Sequence, residues 1–179
     1  MAPDYVEQLK GMIRSVPDWP KKGIVFRDIT TLLKDPRGLA LAMELLATPY
    51  KDSQIDLVVG AESRGFIFGT TVADRLSAGF VPVRKPGKLP AATRSAGYEL
   101  EYGTDTLEIH VDAIEAGQRV LLVDDLLATG GTMKACCDLV RLLGGEIVGA
   151  AFLIELGFLH GRDKLAGIDV QSVICYDAE

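Results

Sequence analysis

Only two histidines and three cysteines occur among the 179 residues, and no Cys-x-x-Cys spacing is present. That scarcity argues against a structural zinc site. Cys136, Cys137 and Cys175 are odd in number and two of them are adjacent, so they read as free thiols of a reducing compartment rather than as a disulfide framework. No apolar run approaches the ~20 residues needed to span a bilayer, and no membrane association is expected. The N-terminus, MAPDYVEQLK, has no basic patch leading into an apolar stretch, so no secretory leader is expected and the location implied is cytoplasmic. Basic residues are outnumbered, with a net charge of −6 and a pI near 5.0, which excludes nonspecific nucleic-acid binding but leaves room for a local basic pocket. Internal repeats, low-complexity segments and a Gly-x-x-x-x-Gly-Lys-Ser/Thr loop are also missing.

What remains is ordinary globular material, 48% hydrophobic and 25% charged, long enough for one domain spanning residues 1–179 with a real core. Val6, Leu9, Ile13 and Val16 recur at helical spacing, predicting an amphipathic helix over 4–16 that ends at Pro17 and Pro20. A loop with a short extended piece at Ile24–Phe26 follows. Asp35-Pro36 reads as an N-cap and first-turn pair for a helix reaching about Ala47.

Beyond this point strands and helices alternate. Ile55–Gly60, Phe80–Arg84, Arg119–Asp124, Ile147–Ile154 and Val170–Tyr176 are strand candidates, with Pro82 placing the second at an edge or bulge. Residues 65–77 and Gly131–Leu143 are helix candidates, the latter closed by Gly144-Gly145. Residues 85–97, rich in Pro, Gly and basic side chains, read as a mobile loop. Tyr98–Tyr102 and Thr106–His110 alternate and predict a hairpin around Gly103. Near-continuous Val/Ile/Leu strands indicate an α/β fold with a mainly parallel, five-stranded sheet flanked by helices. Ligands of such sheets bind beyond the carboxyl ends of the strands, where Glu62-Ser63-Arg64, Lys85 and Asp124-Asp125 fall.

The stretch VLLVDDLLATGGT, residues 120–132, carries the most specific chemistry. Gly130 and Gly131 allow close backbone approach at a helix start, whose free amides favour a phosphate, and Thr129 and Thr132 add hydroxyls. Asp124 and Asp125 would repel a bare phosphate. They suit a ligand that also offers sugar hydroxyls or arrives with Mg²⁺, and a ribose 5-phosphate satisfies both halves.

This stretch resembles the phosphoribosyl diphosphate (PRPP) binding motif of the type I phosphoribosyltransferases. PDWPKKGIVFRDIT, VVGAESRGFIFG, VRKPGKLP, YELEYGTDTLEIH and IELGFLHGRDKL extend the match over about residues 5–176, and together they are similar to the family that uses adenine. The resemblance implies a type I phosphoribosyltransferase fold with an N-terminal hood over about residues 1–34 and a flexible catalytic loop over about 85–103. It implies attack of adenine N9 on C1 of PRPP, giving AMP and diphosphate in purine salvage. In site terms it implies Asp124, Asp125, Ala128, Thr129, Gly130, Gly131 and Thr132 on the ribose phosphate. Ser63, Arg64, Arg84, Lys85, Lys88 and Tyr102 would serve the diphosphate. Glu101 would be the acid-base group, and Val25, Phe26, Arg27 and Leu156 would surround adenine. Mg²⁺ would come with PRPP, with no direct protein ligand assigned, although Asp124 or Asp125 lies near. A homodimer with sites partly shared through the Arg84 segment is implied as well. Glu62 stands where Asp is common in related sequences, and its role is open. The rival readings are a PRPP-binding regulator without catalysis and an enzyme for guanine or xanthine. AFLIELGFLH lacks the lysine with which 6-oxopurine enzymes meet the base, which favours adenine.

Overall fold

A computed structural model describes residues 4–99 and 104–178. The chain opens with α1 (Tyr5–Lys10), capped by the Asp4 carboxylate on the amides of Val6 and Glu7. It turns at Gly11 into β1 (Arg14–Pro17), which pairs antiparallel with β2 (Val25–Asp28). The helix predicted over 4–16 is therefore half its expected length. Gly11 costs about 1 kcal/mol in a helix interior, and residues 14–17 gain a strand partner instead. Val6 and Leu9 still pack into the core from the helix, and Ile13 from the turn beyond it.

A short helix α2 (Thr30–Leu33) leads to α3 (Pro36–Ala47), whose N-cap is Asp35 accepting from the amides of Arg37 and Gly38, each at 2.9 Å. Then come β3 (Leu57–Ala61), α4 (Gly65–Leu76) and β4 (Gly79–Val83). β5 (Thr93–Glu99) and β6 (Thr104–His110) form a separate antiparallel hairpin. The second half of the sheet is β7 (Arg119–Leu127), α5 (Gly131–Leu142), β8 (Glu146–Leu156) and β9 (Val170–Tyr176), with two 3₁₀ turns, Gly157–Leu159 and Gly161–Leu165, before the last strand.

The five-stranded sheet has the order β4-β3-β7-β8-β9, and every pairing is parallel. Pro82 sits on the edge strand, as its missing N–H requires. Side chains alternate across β7: Leu121 and Val123 enter the layer with α1, α3 and α4, while Val120 and Leu122 enter the layer with α5 and the hairpin. Burial on both faces is why the strand reads as an unbroken apolar run.

Two boundaries differ from expectation. The segment 85–97 is not all loop, since Thr93–Glu99 pair in register with Thr104–His110. Its small and polar residues carry little strand preference of their own; Leu107 and Ile109 of the partner, both buried, anchor the ribbon. Strand β7 continues through both aspartates to Leu127, because the long β8 offers partners out to Leu126↔Ile154 and Leu127↔Glu155. Residues 100–103, with the expected Glu101 and Tyr102, lie outside the described residues.

Candidate active site

After β3 the chain crosses to β4, and after β7 it crosses the opposite way to β8. The point of reversal lies between β3 and β7, where an open parallel sheet leaves a crevice beyond the strand ends. A cleft of about 350 Å³ occupies it, lined by Glu62, Ser63 and Arg64 from one strand end and Asp124 through Met133 from the other. The sheet topology thus brings together all seven residues predicted for ribose phosphate, with Ser63 and Arg64 opposite.

The floor is the turn Ala128–Gly131. Gly130 has φ +77° and occupies the N-cap position of α5, with no side chain capping the helix. The first amides of α5 are therefore left for a ligand, and the helix dipole favours an anion there. A Cβ on Gly130 would lie 2.3 Å from the Gly161 carbonyl oxygen, so glycine is required twice over.

The two acids differ. Asp125 is 8% exposed in its side chain and pairs with Arg64 Nε at 2.9 Å. Asp124 accepts from the Asp125 amide at 2.9 Å, and its carboxylate crowds the start of α4, where a Cβ on Gly65 would meet Oδ1 at 2.7 Å. Burial, and then the Asp125 charge, push the Asp124 pKa well above the ordinary carboxylate value.

Beyond Arg64, the predicted diphosphate cations separate into two groups. Arg84 Nε and Lys88 Nζ reach Glu62 at 2.8 and 3.0 Å, and the Lys85 amide donates to the same carboxylate at 3.1 Å. Burial alone would raise the Glu62 pKa; these three contacts outweigh it and hold the group below its usual value. Glu62 therefore gathers the cation segment, a role its sequence position did not reveal. Lys85 turns away, pairing with Asp105 at 3.1 Å. Asp105 also accepts from the Tyr98 hydroxyl at 3.2 Å. Strand β5, which carries Tyr98, packs along α5, so the hairpin adjoins both the cation segment and the helix that follows the phosphate turn.

Of the predicted base-binding set, Phe26 reaches the cleft through Arg64, whose guanidinium lies 5.7 Å from its ring centre. Trp19 packs edge-on to Phe26 at 4.4 Å. Arg27 points elsewhere, donating to Ser15 Oγ at 2.6 Å and stacking 4.1 Å over the Tyr176 ring, with its Nε buried and without a hydrogen-bond partner. Val25 pairs with Pro17 and Leu156 with Tyr176. Tyr176, to which the sequence assigned nothing but strand, is thus where Arg27 and Leu156 meet.

Among the described residues no group of three or more His, Cys, Asp or Glu stands ready to hold a metal ion. Among them, too, no helix is long and apolar enough to cross a membrane.

A parallel sheet with an acid pair and an open amide turn at its point of reversal defines a sugar-phosphate transferase, and residues 28–176 match the phosphoribosyl transferase domain family, to which the chain belongs. The chain is 62% identical to adenine phosphoribosyltransferase of Acidobacterium capsulatum over 170 residues, 95% of this chain and 94% of that one. The crystal structure of the Thermoanaerobacter pseudethanolicus adenine phosphoribosyltransferase superposes with a TM-score of 0.93 at 56% identity, covering 96% of this chain and 99% of that one. The Saccharomyces cerevisiae enzyme, complexed with an imino-altritol bisphosphate and adenine, superposes at 0.89 with 40% identity, covering 94% and 98%. Within its family the chain groups with the adenine phosphoribosyltransferases.

Proposed function

We propose that the chain transfers the 5-phosphoribosyl group of PRPP to N9 of adenine, releasing AMP and diphosphate, and so acts in purine salvage. The observation that carries this reading is the cleft between β3 and β7, where two carboxylates and an open helix start line one space sized for a pentose phosphate. The acids would accept the ribose hydroxyls and the amides of 130–132 the 5-phosphate. As diphosphate departs, C1 becomes cationic, and fixed charge and positioning supply most of the catalysis. Ser63 and Arg64 would hold the departing group, with Arg84, Lys85 and Lys88 joining them. Phe26 and Leu156 would enclose adenine, with Val25 and Arg27 beside them. Glu101 would manage the purine ring proton and Tyr102 would close over the site. Mg²⁺ would enter on the diphosphate oxygens and neutralise their charge; the chain's part is to orient that group. A cytoplasmic homodimer sharing the Arg84 segment between sites completes the reading.

The test is purified protein with Mg²⁺, PRPP and each of adenine, hypoxanthine, guanine and xanthine. AMP forms from adenine, and the oxopurines react poorly, because a site built for one hydrogen-bond pattern rejects its inverse. Preference for an oxopurine overturns the substrate assignment. PRPP binding with no nucleotide formed from any base overturns the enzyme assignment.

A further inference from the structure

We propose that Gly161 and Arg162 are positioning residues for the phosphate-binding turn, holding its backbone in place from the far side through a clamp on Glu155. The proposal rests on the reading of that turn as the 5-phosphate site.

The turn is not self-supporting. Gly130 adopts a left-handed conformation, and its helix start has no side-chain cap. What stands behind it is the 3₁₀ segment Gly161–Leu165. A Cβ on Gly161 would lie 2.2 Å from the Ala128 carbonyl oxygen and 3.1 Å from the Gly130 amide nitrogen. In return, a Cβ on Gly130 would strike the Gly161 carbonyl. The two backbones lie directly against each other, so a displacement of either moves the other.

Arg162, the next residue, fixes Gly161 to the sheet. Its guanidinium makes a two-point contact with Glu155, Nε to Oε1 at 2.6 Å and Nη2 to Oε2 at 2.7 Å. Nη1 donates to the Val170 carbonyl at 2.8 Å, and Nη2 also reaches Ser172 Oγ at 3.4 Å. The clamp therefore spans β8 and β9. Glu155 is 6% exposed in its side chain and sits opposite Leu127 in the β7–β8 register, one residue before the turn begins. Forked geometry of this kind fixes direction as well as distance, and a lysine ammonium cannot reproduce it. Neither residue lines the cleft, so any effect on ligand must pass through the turn.

The experiment measures dissociation constants for ribose 5-phosphate and inorganic diphosphate, with melting temperatures and steady-state constants, in wild type, Arg162→Lys, Glu155→Gln and Gly161→Ala. Loss of one charge-assisted hydrogen bond to the phosphate costs roughly ten- to a hundredfold in affinity; Gly161→Ala is expected to weaken ribose 5-phosphate toward the upper end of that range, and Arg162→Lys by about tenfold. Diphosphate affinity and the adenine KM stay unchanged while the PRPP KM rises. Should Gly161→Ala not fold, the two clamp variants decide the matter. Unchanged ribose 5-phosphate affinity in folded clamp variants overturns the proposal, and so does an equal loss for diphosphate, which would mark a merely structural role. Wild-type protein that binds no ribose 5-phosphate overturns the phosphate-site reading itself, a result separable from inert clamp variants of an active enzyme.

Discussion

The structure makes Asp124 and Asp125 chemically unequal, and single substitutions to asparagine expose the difference. In the free chain Asp125 is paired with Arg64 at 2.9 Å. A hydrogen bond to an ionised carboxylate is worth about 1.5–3 kcal/mol, and giving up a half-exposed ion pair returns at most about 1 kcal/mol. Asp125→Asn should therefore weaken PRPP binding by about 1–2 kcal/mol, roughly 5- to 30-fold. Asp124 holds its proton to higher pH because of burial and its neighbour's charge, and a protonated acid is closely imitated by an amide. Asp124→Asn should then cost only about 0.5–1 kcal/mol, roughly 2- to 5-fold, at pH values where the acid is protonated. Its penalty grows as pH rises through the Asp124 titration. Calorimetric titration of PRPP and adenine over the pH range in which the protein stays folded reads both effects, since Asp124 titrates above an ordinary carboxylate. Equal penalties at the acid end, or a parallel loss of adenine affinity, would refute the assignment of the acids.

Asp124 also makes a stability prediction. Its folded pKa is raised, so its contribution is fully present below the ordinary carboxylate pKa of about 4 and is lost as pH rises through the raised value. Asparagine does not ionise; the melting temperature of Asp124→Asn relative to wild type should climb as pH rises above the ordinary carboxylate pKa of about 4, and a flat difference would contradict the pKa direction. Glu101→Leu should lower kcat by about 10²–10⁴ without comparable change in PRPP affinity, and near-normal turnover removes it from acid-base work. Arg84→Ala should depress activity, and mixing it with the turnover-deficient Glu101→Leu protein should restore part of it if sites are shared; absence of recovery in proven hybrids favours self-contained sites.

The sheet was legible because burial on both faces leaves an unmistakable pattern. The Val170–Tyr176 strand and the helix from Pro36 to Ala47 agree to the residue, the first through its apolar run and the second through its proline and acid cap. The reach of β7 was not legible, since acids at 124 and 125 look like a strand's end until an eleven-residue β8 is known to lie alongside. Nor was the start of β5, whose order comes from a partner strand rather than from its own side chains. In the site, the turn and the acids could be read from adjacent residues. The contacts that organise them could not. Glu62 meets Arg84 across 22 positions in sequence, Lys85 meets Asp105 between separate elements, and Gly161 carries no local sign that another glycine presses against it.

These long-range contacts bear on how substrate enters. Arg64 is held by Asp125, Arg84 and Lys88 by Glu62, and Lys85 by Asp105. The cations predicted for diphosphate, and Asp125 of the ribose set, thus already have partners inside the chain. Binding is then an exchange of internal pairs for pairs with ligand, and its yield is the difference between two sets of charge-assisted contacts rather than the sum of one. Exchange has a second effect. Arg64 lies both on the Asp125 carboxylate and near the Phe26 ring, so under the proposed function drawing it toward diphosphate would free an acid for the ribose and alter the face offered to the base. Affinity measured with one ligand alone will accordingly understate what the same contacts supply when both are present, to the extent that a single guanidinium movement serves both subsites.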